Sequence, residues 1–261
     1  MTEHSKWELL SWEDINNISK KPNSLAILPV GSIEQHGPHL PVGTDFLIAD
    51  KVAEILTKKL NEKNIPTIKL PPIPFGLSSM WQAYPGTVTL RYDTFAKLII
   101  EVLTSVIAAG FSNILILNSH VGNSDLLRVA AREAVEHAGK GKVAVITIWE
   151  FIGDIINTLF ETPFFHADEA ETSVALALGI SLIREPVRSS DIFRVYNEKW
   201  HSLDLTRRPK AYVFRPESRT MHGPGAYGRP DKSSKEKGDV LVRELINRLV
   251  DFVNDFIEDK V

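Results

Sequence analysis

Residues 24–45 read SLAILPVGSIEQHGPHLPVGTD, and this stretch decides how the rest of the chain is organised. The first seven residues are almost all apolar, at odd and even positions alike, which is the pattern of a short strand buried on both faces. At Gly31 the composition switches to glycine, proline and ionisable side chains, among them Glu34, His36, His39 and Asp45. Over residues 46–61 the spacing changes again, and Leu47, Val52, Ile55 and Leu56 fall on one side of a helix. In open α/β sheets, the turn of such a strand–turn–helix unit lies outside the carboxyl end of the strand, where ligands bind.

The same alternation continues outward. Residues 66–73, 114–117 and 143–149 read as strands, and residues 92–109, 125–138, 169–178 and 237–259 as helices, the first of these stopped by Gly110. Apolar strands alternating with helices predict a largely parallel sheet covered on both sides. No repeat, low-complexity tract or linker interrupts the chain, so one domain over 1–261 is the expected organisation. Residues 202–234 lack periodicity and are rich in Arg, Pro and Gly. They read as an ordered excursion near the site or at a subunit interface.

Composition narrows the function. The 261 residues are 43% hydrophobic and 24% charged, with 30 basic and 33 acidic side chains and a net charge of −3, as in an ordinary globular protein. No basic stripe marks a nucleic-acid or anionic-membrane surface, and neither partner is expected. The N-terminal residues lack the apolar core of a signal peptide, and no apolar stretch is long enough to span a bilayer, so a cytoplasmic protein is expected. Cysteine is absent, which leaves only nitrogen and oxygen ligands for any metal and fits a reducing compartment.

Four segments carry candidate chemistry. In the first, Glu34 and His36 are two residues apart and project to one side of an extended segment. Asp45 sits near a helix start, where a carboxylate serves equally well as a cap. The second, ILILNSHVGN over 114–123, places His120 at a strand end, with Asn118 and Asn123 able to orient ligands. The third, FHADEAETS over 165–173, adds His166 and Glu171 as candidate catalytic residues. Asp168 and Glu169 there are readily explained as partners of a helix dipole. The fourth, GLSSMWQAYPGT over 76–87, offers Ser78, Trp81 and Tyr84 for substrate contact, or is a plain surface turn. Asn118 and Trp149, at two strand ends, complete the substrate-binding candidates. Arg207, Arg208, Arg215, Arg219 and Arg229 crowd one region and suit a phosphate if they face the site, or a solvated loop if they do not. No glycine-rich phosphate loop follows any strand.

Together these segments resemble the creatininase family of metal-dependent amidohydrolases. GSIEQHGPHLPVGTD matches the family's Gly-small-hydrophobic-Glu-Gln-His-Gly-Pro-His-Leu-Pro…Thr-Asp signature, and NSHVGN resembles its Asn-Gly-His-Gly-Gly-Asn. HADEAETS is similar to His-Ala-Gly-x-x-Glu-Thr-Ser, AYPGTVTL to its Phe-Pro-Gly-Thr element, and GAYGRPDKSSKEKG to its Gly-x-x-Gly-x-Pro stretch. The resemblance implies a three-layer α/β/α sandwich with a mostly parallel central sheet. It also implies a dinuclear centre with Glu34, His36, Asp45 and His120 as ligands and Asp45 bridging. Where the family's namesake has a further glutamate ligand this chain has Gly122, so Glu171 is the candidate fifth ligand. His166 matches the catalytic histidine. Zinc, manganese and iron(II) all suit such a site.

The implied mechanism is attack of a metal-bridging water or hydroxide on an amide-like carbonyl, with His166 passing a proton to the departing nitrogen. The implied substrate is a small-molecule amide: a cyclic amide such as creatinine, or the formamide of a ribosylaminopyrimidine nucleotide, with a modified peptide behind them. A non-catalytic ligand-binding or assembly protein with a structural metal is the competing class. Homo-oligomers, hexamers among them, are also implied. Ser119, Asp168, Trp81 and Tyr84 depart from the family pattern, so the metal core is kept while the pocket lining changes.

Overall fold

The alternation within β1 (Leu25–Val30) sends Leu25 and Ile27 into one core and Ala26, Leu28 and Val30 into another. β3 (Asn113–Asn118) repeats the division, with Leu115 and Leu117 in the first core and Ile114 and Ile116 in the second. Successive side chains of a strand point to opposite faces, so strands apolar throughout require helices on both sides of the sheet. The computed structural model describes residues 5–186, 188, 200, 204–208, 211–213, 223 and 225–261. Among them the strands β1, β2 (Thr67–Lys69), β3 and β4 (Lys142–Thr147) form a parallel sheet in the order β2-β1-β3-β4. Leu25 stands opposite Thr67 and Asn113, and Asn113 opposite Lys142.

In chain order the helices are α1 (Trp12–Ser19), α2 (Thr44–Glu62), α3 (Tyr92–Ala108), α4 (Ser124–Ala138), α5 (Ile148–Phe151), α6 (Gly153–Leu159), α7 (Glu169–Ala177) and α8 (Lys235–Ile257). α2, α7 and α8 bury Val52, Leu56, Val174, Leu245 and Leu249 against one face of the sheet, and α3 and α4 bury Phe95, Ile99, Leu103 and Leu127 against the other. The architecture is the three-layer α/β/α sandwich with a parallel centre.

Local chemistry moves several boundaries. The strand expected over 66–73 is regular only from Thr67 to Lys69, because Pro66, Pro71 and Pro72 have no N–H to give the ladder. The strand expected over 143–149 stops at Thr147, and Trp149 rides on the short α5 instead. Asp45 is not a cap: Gly43 holds that position and α2 begins at Thr44, whose hydroxyl donates to Pro41 O at 2.6 Å. α8 starts at Lys235 because Ser234 caps it, accepting from Lys237 N at 3.2 Å. α1 and α6 were not anticipated. Part of the segment over 202–234, with Arg215 and Arg219, lies outside the described residues. Among the described residues no helix is long and apolar enough to cross a membrane.

Candidate metal centre

Two carboxyl-end turns and two helix starts meet above β1 and β3. The turn after β1 folds back on itself through Glu34 N, which donates to Val42 O at 2.9 Å, and so presents Glu34 and His36 to the interior. Asp45 enters from the first turn of α2, and its own carbonyl accepts from the Ser119 hydroxyl at the end of β3. His120 follows one residue later. Glu171 comes from the first turn of α7, where its Oε2 accepts from Ala167 N at 2.6 Å. Asp168 caps that helix, accepting from Glu171 N at 3.0 Å and from Phe165 N at 2.7 Å, so its dipole-answering role is real. Between the two, Ala167 is held at φ 47°, a left-handed conformation costly for a residue with a Cβ.

The backbone fixes the imidazoles. A carbonyl oxygen can only accept, so His36 donates from Nδ1 to Glu34 O at 3.0 Å, leaving its Nε2 lone pair for the centre. His120 donates from Nε2 to Leu77 O at 2.9 Å, leaving Nδ1. His166 donates from Nε2 to Gln35 O at 2.7 Å, which likewise turns Nδ1 inward. Metal-binding histidines are oriented in this way, by an outer carbonyl on the far ring nitrogen.

The inward atoms form overlapping groups. Asp45 Oδ1 lies 3.4 Å from His36 Nε2, which lies 3.6 Å from Glu171 Oε1. Asp45 Oδ2 lies 3.2 Å from His120 Nδ1, which lies 3.4 Å from Glu34 Oε1. The two oxygens of Asp45 therefore face two different sets of donors. His166 Nδ1 stands 3.5 Å from the same Glu34 oxygen. The triads Glu34–Asp45–His120, His36–Asp45–Glu171 and Glu34–His36–His166 each have ligand atoms within 4.8 Å of one another, and every member is buried.

Such a cluster carries more negative charge than the protein neutralises with fixed cations. Among the described residues the ion pairs of Glu34, Asp45 and Glu171 are all with histidines. Burial, aided by Asp45 and opposed by His120 and His36, pushes the Glu34 carboxyl up to about 7. For His120, burial works against the charged form, but the Glu34 and Asp45 carboxylates outweigh it and hold the pKa at about 9. His36 is likewise raised well above its ordinary value, burial being overcome by Asp45 and Glu171. His166 goes the other way, pulled well below by burial and by the charge on His36. Glu34 Oε2, His36 Nε2 and Asp45 Oδ2 are buried without a hydrogen-bond partner. Orphaned lone pairs converging from oxygen and imidazole nitrogen are the donor set of a divalent cation.

The cavity above the cluster measures about 170 Å³ and is lined in part by residues that follow β3 and β4. Trp81 and Trp149, two of the expected substrate contacts, line it, together with Phe164 and Phe165 and with Met80, Val121 and Leu205, the last three not singled out in the sequence. Three expected substrate contacts lie elsewhere. Asn118 is enclosed beneath the site, its Nδ2 donating to His120 O at 2.7 Å and its Oδ1 accepting from His120 N at 3.2 Å. Ser78 is buried, sharing a 2.5 Å hydrogen bond with the Ser32 hydroxyl and bonding to the Glu34 carboxylate. The Tyr84 ring packs edge-on to Trp81, and its hydroxyl donates to Gly223 O at 3.1 Å. Asn123 acts on backbone, donating to Gly31 O at 3.0 Å and accepting from Leu77 N at 2.9 Å. His39 is buried on Thr172 Oγ1 at 3.0 Å, outside the metal-capable groups. Gln35 was missed altogether: its backbone carbonyl orients His166, and its side-chain amide donates to Gly225 O at 3.0 Å and accepts from Gly37 N at 2.9 Å.

Fold and centre together define a class: α/β sandwiches that gather carboxylates and imidazoles over the carboxyl edge of a parallel sheet to bind divalent cations. The sequence profile of creatininase (creatinine amidohydrolase) matches residues 8–253, and the chain belongs to that family. It is 24% identical over 264 residues to the creatinine amidohydrolase of Pseudomonas putida, covering 94% of this chain and 95% of that one. It is 27% identical over 259 residues to a 3-dehydro-scyllo-inosose hydrolase of Thermotoga maritima, covering 91% and 79% respectively. The 2-amino-5-formylamino-6-ribosylaminopyrimidin-4(3H)-one 5'-monophosphate deformylase of Methanothermus fervidus is 29% identical over 185 residues, 66% of this chain and 63% of that one. The crystal structure of creatinine amidohydrolase superposes with a TM-score of 0.77 at 22% identity, over 97% of this chain and 98% of that one. Solved creatininases include a Zn–Zn form and an Mn form.

Proposed function

We propose that the protein hydrolyses a C–N bond of amide type other than an ordinary peptide bond, using two divalent cations, zinc, manganese or iron(II). The observation that carries this reading is the division of Asp45, with Oδ1 at 3.4 Å from His36 and Oδ2 at 3.2 Å from His120. His36, Asp45 and Glu171 would hold one cation, and Glu34, Asp45 and His120 the other. Divalent cations in such a centre supply an acidified water as nucleophile and polarise the substrate carbonyl.

The chain's own residues do the rest. His166 takes at Nδ1 the proton that the attacking water loses and passes it to the departing nitrogen, while Nε2–H stays on Gln35 O. Glu171 fixes the turn that carries His166, through its bond to Ala167 N. Trp149, Phe164 and Trp81 keep bulk water from the cluster. Cyclic amides such as creatinine and formamides are the substrates to try first, on the strength of the family and of the Pseudomonas and Methanothermus relatives. The same reading makes the chain one domain of a cytoplasmic homo-oligomer acting on a small molecule.

The test is elemental analysis of the purified protein, followed by hydrolysis assays against creatinine, formamides and small cyclic amides. Asp45→Ala is expected to lose both metal and turnover, and His166→Ala to lose turnover while keeping metal. Full activity of Asp45→Ala sinks the scheme.

A further inference from the structure

The polar groups of the cavity belong to its floor. Glu34, Asp45, His120, His166 and Glu171 form the cluster, whereas the wall above is built from Met80, Val121, Trp149, Phe164, Phe165 and Leu205. Hydrogen-bonding capacity on that wall is already engaged. The Trp149 indole N–H donates to Ser119 O at 2.6 Å, and the Ser119 hydroxyl donates to Asp45 O. Trp149 and Phe164 stack on each other, with centroids 4.6 Å apart and planes 28° from parallel, so the wall is a rigid aromatic surface.

Cations are also missing from this wall among the described residues. Arg207 pairs with Asp204 at 3.3 Å, Arg208 with Asp125 at 3.8 Å and Arg229 with Asp231 at 2.8 Å. Around the cation centre a phosphate brought into the cavity would meet, among the described residues, only indole, phenyl and alkyl side chains and no fixed cation. Anionic substituents need fixed donors or guanidinium groups, and a dry aromatic wall penalises them. An apolar cavity of roughly 150 Å³ accommodates one benzene ring, so about 170 Å³ here is on the scale of one small ring.

The geometry points to a substrate class: an uncharged amide or formamide whose substituent is a single apolar ring or a branched alkyl group, seated between Val121, Leu205 and the Trp149–Phe164 stack. This rests on the cation-dependent reading of the centre, and it disfavours phosphate-bearing substrates.

Hydroxamates test it without turnover, since they chelate the cations whatever the reaction. Binding of acetohydroxamate, benzohydroxamate and 4-phosphonobenzohydroxamate to the metal-loaded full chain is measured by titration calorimetry, each affinity being referred to that for the free cation. Benzohydroxamate is expected to bind at least ten-fold tighter than acetohydroxamate, given the apolar area that a ring buries, and the phosphono compound to lose that advantage. Leu205→Ala and Val121→Ala, neither of them a proposed ligand, should cut the preference several-fold, each variant's own acetohydroxamate affinity being the reference. Equal binding of the first two compounds, a preference for the phosphono compound, or an undiminished preference in both variants overturns the inference and leaves the metal centre standing. Binding of none of the three overturns the metal-dependent reading itself, and this inference with it.

Discussion

His166 lies nearly flat against the indole of Trp81, with ring centroids 4.1 Å apart and planes 20° from parallel. The indole is buried, and the ring of His36 lies with its centroid 4.6 Å from the same imidazole. The proposed proton carrier is thus stacked on the indole and bonded at Nε2, which leaves little freedom at Nδ1. Trp81→Phe keeps an aromatic face but shortens it. Displacing a catalytic group by about 1 Å can cost roughly 100-fold, so kcat should fall by about 10- to 100-fold with metal content unchanged. Steady-state rates and elemental analysis of the same preparation decide this. Wild-type kcat in Trp81→Phe would show that the indole does not position His166.

Some of this arrangement is readable in the sequence and some is not, for a physical reason. Strand, turn and helix around Glu34, His36 and Asp45 are set by local spacing, so the parallel sheet and the position of the centre are visible at once. The capping box that starts α1, Ser11 with Asp14, was equally local and was passed over because the helix it opens is short and largely polar. Contacts between distant residues are another matter. Gln35 meets His166 across 131 positions, and His120 meets Leu77 across 43, and neither pairing leaves a periodic trace in the chain. Asn118 illustrates the opposite error: a polar residue at a strand end looks like a ligand contact until its partners prove to be the backbone of the next turn.

The metal-free protein should respond to pH in a way that the loaded protein does not. In the folded chain His120 is raised to about 9 and His36 is raised too, their carboxylate neighbours overcoming burial, whereas an unfolded histidine titrates near 6.5. A raised pKa stabilises the fold fully below the unfolded value, and that stability is lost as pH rises through the folded value. Glu34 and Asp168, raised to about 7, lose their contributions lower, and His39, lowered to about 4, gains its contribution below pH 7. From pH 7 to 9 the loss is therefore dominated by His36 and His120, with the tails of Glu34 and Asp168 acting in the same direction. The melting temperature of chelator-treated protein is expected to fall across this range, while with bound cation, which requires unprotonated imidazole, it should stay level or rise. Parallel slopes in differential scanning calorimetry would contradict this.

Gly122 stands against the ring of His120. A Cβ built there would lie 2.5 Å from His120 Nε2 and 2.8 Å from Leu77 O, astride the hydrogen bond that orients His120. Any side chain at this position must displace the imidazole or the carbonyl, and the proposed fifth ligand is Glu171, from α7. Gly122→Ala should break the His120–Leu77 bond, and loss of such an outer partner typically weakens metal affinity by roughly 10- to 100-fold. Chelator competition measures the change, and an unaltered affinity would mean that the carbonyl does not orient the ring.

Glu171 depends in turn on where α7 sits, and that is fixed by α8. Lys237 pairs with the buried Glu169, and Ser234 N donates to Ser173 Oγ at 3.1 Å. At Gly238 the helices approach so closely that a Cβ would lie 1.9 Å from Ser173 O and 2.8 Å from Ala177 Cβ. Helix propensity alone favours Gly238→Ala by about 1 kcal/mol. Overpacking of a close contact costs about 1–3 kcal/mol, and here the obstacle is backbone, which cannot rotate aside, so the steric term wins. Gly238→Ala is expected to lower the melting temperature and, by pushing α7 outward, to weaken metal binding through Glu171. Asn247→Ala, on the exposed side of the same helix, carries the propensity gain without the clash and should leave stability equal or slightly higher. Stabilisation by both substitutions would mean that α7 and α8 are further apart than the Gly238–Ser173 contact requires, and that Glu171 is not held by this packing.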